Sequence, residues 1–122
     1  MDMRLELVPL RSTDVDRSVA FYVDRVGFAL DHDVQPGNGM RIVQLTPPGS
    51  ACSVVVGVGM GDPDAAPVHG LHLVVDDLDA VRGTLVGKGV EVSEVSDMGG
   101  GVRYAYFSDP DGNSWALQQI SR

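Results

Sequence analysis

The apolar positions change their spacing along the chain, and the changes mark out elements. Residues 3–9 alternate loosely and are rich in Leu and Val, which predicts a first strand. Thr13 or Asp14 supplies a capping oxygen for the helix that follows. Val15, Val19, Tyr22, Val23 and Val26 then form a stripe at helical spacing, and Gly27 supplies the stop. Residues 28–34, 40–46 and 52–58 read as three strands, separated by turns at Pro36-Gly37-Asn38-Gly39 and Pro47-Pro48-Gly49. The second half predicts a strand at 70–75, a helix at 77–87, and strands at 90–95, 103–108 and 114–120. Between the halves, residues 59–68 are rich in Gly, Pro and Asp and read as a linker.

The two halves also repeat each other. Residues 10–30 resemble 73–92, with Asp14 matching Asp77 and Gly27 matching Gly89. Residues 41–57 resemble 103–119, with Arg41 matching Arg103 and Gly49 matching Gly112 after a one-residue gap. The constant order of these matches points to an internal duplication. Each half then reads as strand, helix and three more strands: one module over residues 1–58 and a second over 69–122.

Length and composition restrict the function classes. A chain of 122 residues suits one domain with a real core. Nine Lys and Arg against seventeen Asp and Glu leave a net charge of −8, which repels phosphate backbones and anionic lipid. Nucleic-acid and membrane-surface binding are therefore not expected. Cys52 is the only cysteine, so the chain forms neither an internal disulfide nor a multi-thiolate metal site. The N-terminal residues carry charges and a proline where a signal peptide needs an apolar run, and a cytoplasmic location is the expectation.

Three segments, residues 13–28, 74–92 and 107–118, resemble the vicinal oxygen chelate superfamily of glyoxalases, extradiol dioxygenases and bleomycin-resistance proteins. The resemblance spans nearly the whole chain and implies an α+β fold. It implies two tandem βαβββ modules with curved mixed sheets and helices on the convex faces. The modules of such proteins enclose a concave cavity, often across a homodimer. Members with metal chemistry place His, Glu or Gln ligands on the first and last strands of each module. Those positions map here onto Leu7 and Gly70 on the first strands, and onto Ser53 and Ala116 on the last. Divalent metals want imidazole, thiolate or carboxylate donors, usually three or more, so no metal and no other cofactor is expected.

Strand alternation then assigns the concave surface. Leu5, Leu7 and Pro9 face inward on the first strand, with Ser53, Val55 and Gly57 on the fourth. Gly70, His72 and Val74 do so on the fifth, with Ala116 and Gln118 on the last. The ligand-contacting set expected from this reading is Leu7, Pro9, Ser53, Val55, His72, Val74, Ala116 and Gln118. Such a surface, mostly apolar with a few polar points, suits a planar or aromatic compound, while a merely packed core is the plain alternative. His72 is either a ligand contact and candidate acid or base, or a hydrogen-bonded wall of the cavity. His69 reads as a linker-end residue, and the two histidines point to opposite faces of a strand.

The remaining candidates carry less. Alternation separates His32 from Asp31 and Asp33, which reads as a solvated strand. Tyr104 and Tyr106 share one face and Arg103, Ala105 and Phe107 the other, with the inward face left open. Trp115 and Cys52 are assigned to the opposite, outward side. No Gly-x-Ser-x-Gly element or phosphate loop is present. The leading expectation is a metal-independent small-molecule binder that sequesters a toxic or signalling organic compound, as a homodimer. The rivals are a lyase, isomerase or dioxygenase, metal-dependent through atypical ligands or metal-free through His72, and an interaction module whose sheets serve only to dimerise.

Overall fold

The structure is a computed structural model that describes residues 1–60 and 64–121. It divides into two compact units, Met1–Pro67 and Val68–Arg122. Part of the expected linker, residues 61–63, lies outside the described residues.

The first unit contains β1 (Leu7–Pro9), α1 (Val15–Val19) running into a π-helical segment (Ala20–Val26), β2 (Ala29–Gly37), β3 (Met40–Thr46) and β4 (Ser53–Val58). Its sheet has the order β1-β4-β3-β2, with β1 parallel to β4 and the other pairs antiparallel. The second unit repeats the plan with β5 (Leu71–Val74), α2 (Leu78–Gly87), β6 (Ser96–Asp97), β7 (Val102–Ser108) and β8 (Ser114–Ile120). Its order is β5-β8-β7-β6, again with the first pair parallel. This is an α+β fold of two four-stranded mixed sheets. No helix among the described residues is long and apolar enough to cross a membrane.

Both helices start as the sequence predicts. Asp14 accepts from the Arg17 amide at 3.1 Å, and Asp77 accepts from Ala80 at the same distance. Each satisfies an amide that has no partner inside the helix. The first helix, however, does not keep the 3.6-residue period. Its winding widens after Val19, and the Gly27 and Phe28 amides both donate to the Tyr22 carbonyl. The wider turn buries Phe21 beside Tyr22, while Val19, Val23 and Val26 of the expected stripe are only half-buried. Tyr22 then stacks on Phe28 at 5.3 Å.

One face of each sheet packs on its helix. Val43, Leu45, Val54 and Val56 form that face in the first unit, and Ala105, Phe107, Trp115 and Leu117 form it in the second. Phe107 and Trp115 stack at 6.2 Å. Burying each of the Val, Leu and Phe side chains contributes about 1.5–3 kcal/mol.

Arg41 and Arg103 take matching parts in the two units, because each reaches from its sheet to the acidic first turn of its own helix. Arg41 bonds Asp16 at 2.7 Å and also Asp33 at 2.8 Å, while Arg103 grips Asp79 through two 3.1 Å bonds. The guanidinium hydrogen bonds hold the Asp33 and Asp79 carboxyls below their ordinary 3.8. A depressed carboxyl stabilises the fold above its unfolded pKa, and that contribution is lost as pH falls through the folded one. Arg103→Gln is expected to return the Asp79 titration, followed by carboxyl ¹³C shifts, to near 3.8. An unchanged midpoint would mean that Arg103 does not hold this carboxylate.

Two expected strands differ. Only Leu7–Pro9 of the expected 3–9 strand pairs, against Ser53–Val55. Residues 90–95 form no strand; Ser93 alone bonds to Tyr106, and pairing resumes at Ser96–Asp97. Arg82 of α2 donates to the carbonyls of Ser93 and Val92, fixing that segment to the helix instead of the sheet.

Candidate functional site

The side of each sheet away from its helix is the open face, and the register shows what it carries. In the first unit Leu7 lies opposite Ser53 and Pro9 opposite Val55. In the second His72 lies opposite Ala116 and Val74 opposite Gln118. All eight residues expected to contact a ligand therefore fall on open-face positions, paired strand to strand within each unit. Leu7, His72 and Val74 are exposed, whereas Ser53, Val55 and Ala116 are buried.

The repeat alignment of the last strands needs a correction. Arg41 pairs with Val58, and its mate Arg103 pairs with Gln119. Register therefore matches Val55 with Ala116, and Ser53 with Ser114, two residues away from the sequence alignment. The β3–β4 connection is one residue longer than the β7–β8 connection, which hides the slip. Because a shift of two keeps the same face, the inward assignment survives.

The face of β7 is also decided. Arg103 turns to Asp79 on α2, and Ala105 and Phe107 enter the core, so Tyr104 and Tyr106 stand on the open face. Their rings lie parallel, 5.9 Å apart and 2° from coplanar in orientation. His72 meets Tyr104 edge-on at 5.7 Å. Gln118 donates to the Tyr104 hydroxyl at 2.8 Å. The His72 Nδ1 lies 2.6 Å from the Gly70 carbonyl, which only accepts, so Nδ1 carries the proton and Nε2 is the outward acceptor. An open groove of about 890 Å³ reaches from His72, Tyr106 and Ala116 past Ser93 to Arg82 and Val86 of α2, without including Tyr104.

The first unit's open face carries a polar chain among the apolar Leu7, Pro9, Ile42 and Val55. Ser53 is 4% exposed, and its hydroxyl bonds Thr46 at 2.6 Å and Gln44 at 3.2 Å. Thr46 in turn donates to Asp31. A bulge between Leu30 and His32 breaks the alternation of β2, so Asp31 and His32 are not separated as the sequence suggested. Asp33 keeps to the helix face with Arg41. Cys52, half-buried, directs its thiol to the Ser53 carbonyl, and His69 is exposed and bonds Ser114.

A divalent ion of the kind the fold family uses finds poor donors here. The paired positions offer Leu7 with Ser53, Gly70 with Ser114, and His72 with Ala116, so one imidazole is the only strong ligand. Among the described residues no group of three or more His, Cys, Asp or Glu is placed to hold a metal. The residues do not fit the ion.

Residues 4–117 match the model of the glyoxalase/bleomycin resistance protein/dioxygenase superfamily. The chain belongs to that superfamily. Among solved structures it is similar to TnmS3, an antibiotic binding protein from Streptomyces sp. CB03234. That match has 36% identity and a TM-score of 0.85, covering 98% of each chain. A glyoxalase/bleomycin resistance protein from the same source is 37% identical with a TM-score of 0.80, over 95% of this chain and 100% of that one. A protein of Mycobacterium tuberculosis, provisionally named glyoxylase CFP32, is 30% identical over 94% of this chain. The chain spans only 45% of that relative, about half the length of the curated proteins it matches.

Proposed function

We propose that this superfamily member binds a planar aromatic small molecule, an antibiotic in the first instance, without using a metal ion. The observation that carries the reading is the parallel Tyr104–Tyr106 pair on the open face, with His72 set edge-on beside it. A flat ligand gains apolar burial and ring contacts on such a platform. Val74, 63% exposed, extends the apolar surface, while Gln118 fixes the Tyr104 hydroxyl. The antibiotic-binding name of one similar structure supports the choice of ligand class. In this reading residues 1–122 act as one glyoxalase-like domain, a cytoplasmic homodimer that sequesters its ligand, and the charge of −8 leaves no role for nucleic acid or membrane surfaces.

Calorimetric titration with daunorubicin and bleomycin tests the proposal. Tyr106→Ala is expected to weaken binding of the responding compound roughly 10-fold, the loss of one ring contact and its burial. If neither compound binds, or if both tyrosines can be removed without effect, the reading fails. Equilibrium dialysis against zinc and nickel tests the metal statement, and stoichiometric uptake would refute it.

A second reading, metal-free catalysis, has one observation in its favour: the Gly70 carbonyl fixes the His72 tautomer and leaves Nε2 ready to accept a proton. Lost turnover with retained binding in His72→Ala would favour this reading over sequestration.

A further inference from the structure

The open face of the first unit carries a hydrogen-bond chain with a fixed direction. Asp31 is a carboxylate and only accepts, and the single Thr46 proton goes to it. Thr46 therefore has no proton left for Ser53, so across their 2.6 Å contact Ser53 donates. That uses the only Ser53 proton. Ser53 must then accept from Gln44, which fixes the carboxamide with its nitrogen toward Ser53, at 3.2 Å. The Gln44 orientation thus follows from proton counting rather than from the similar shapes of nitrogen and oxygen. The Gln44 carbonyl oxygen is left pointing away from the chain as an acceptor.

Only Ser53 of this chain is buried; Gln44 and Thr46 are half-buried and Asp31 is exposed, so the Gln44 oxygen lies where a ligand can reach it. Strand register places Gln44 within its unit. Gln44 pairs with Val55 as Tyr106 pairs with Ala116, so Gln44 occupies the position that the aromatic platform fills in the second unit.

We propose that Gln44 is a recognition residue for a hydrogen-bond donor on the ligand, a phenolic hydroxyl or an N–H, and that Ser53, Thr46 and Asp31 are positioning residues that set its polarity. The inference rests on the small-molecule-binding reading above and extends it to a ligand held on the first unit's open face by itself.

The test uses 2-naphthol and 2-methoxynaphthalene, which differ in a single donor, titrated into the full chain while ¹H–¹⁵N spectra report each residue. Naphthol is expected to bind about 3- to 10-fold more tightly, the value of one neutral hydrogen bond, and to shift the Gln44 side-chain amide. Thr46→Val breaks the chain while keeping the shape. Ser53 then regains a proton to donate, the Gln44 amide turns over, and the preference for naphthol is lost. Gln44→Ala is expected to abolish it as well. A merely structural relay would lower stability in Thr46→Val but leave the ratio of the two affinities unchanged, and that result overturns the proposal. So does equal binding of the two probes, or binding that never perturbs Gln44. The daunorubicin and bleomycin titrations judge the broader reading separately.

Discussion

Asn113→Ala is expected to lower the melting temperature by roughly 10 °C or more, from a loss of about 3 kcal/mol. Asn113 is fully buried and closes the Asp-Pro-Asp-Gly turn between β7 and β8. Its amide nitrogen donates to Asp109 at 2.7 Å, and its carbonyl oxygen accepts from the Val68 backbone at 2.9 Å. The Asp109 carboxylate also collects the backbone amides of Asp111 and Asn113. Alanine leaves the Val68 N–H without its acceptor and takes one donor from a buried carboxylate, and unmade buried bonds cost more than made ones gain. Hydrogen exchange at the Val68 amide should accelerate along with the thermal shift. Asn113→Asp sharpens the test, since two buried carboxylates that close cannot both ionise. It should therefore be less stable at neutral pH than in mild acid. A melt unchanged in both variants would remove the turn from the list of stabilising features.

That turn was legible in the sequence as a fold marker, although its energetic role was not. Residue types announce a tight turn, whereas the bond from Asn113 to Val68 joins positions far apart in the chain. The same division runs through the molecule. Capping aspartates, helix stops and most strands could be read because each depends on neighbours in sequence. The widened winding at Ala20–Val26 could not, because it answers to how Phe21 and Tyr22 bury together against Phe28. Segment 90–95 alternates like a strand, but Arg82 takes two of its carbonyls. The bulge at Asp31 likewise reverses an alternation argument that was sound for a regular strand. The open-face residues were recoverable because parity survives a two-residue slip in alignment. The β7 face was not legible, because it follows from the register that sets Phe107 opposite Trp115 in the helix-facing layer. Tyr104 and Tyr106 then belong to the open face.

The two faces have diverged from one plan. Matched positions carry Gln44 and Tyr106, and Ile42 and Tyr104, so one unit carries a polar chain where the other carries an aromatic platform. Such differences cost little in stability, because these four side chains are half-buried or exposed, unlike their buried open-face neighbours Ser53, Val55 and Ala116. Substitutions there are expected to change ligand choice more than folding.

Gly57→Ala is the contrasting case, an open-face change expected to cost about 3 kcal/mol. Gly57 lies opposite Ile42 in the β3–β4 ladder. A methyl group placed on it would collide with the backbone carbonyl of Arg41 and with the sulfur of Met60. The Met60 side chain is flexible and can move aside. The carbonyl cannot move without bending β3 at Arg41, the residue that ties this sheet to Asp16 and Asp33. The register mate of Gly57 in the second unit is Gln118, whose side chain reaches Tyr104, so nothing in the shared topology demands glycine. The requirement comes from the close approach of the Arg41 carbonyl and Met60 in the first unit alone. Chemical denaturation of Gly57→Ala and of Gly57→Ala with Met60→Ala separates the two obstacles. The second change is expected to recover only a minor part of the loss. Full recovery would show that the sulfur, not the strand backbone, excludes a side chain at this position.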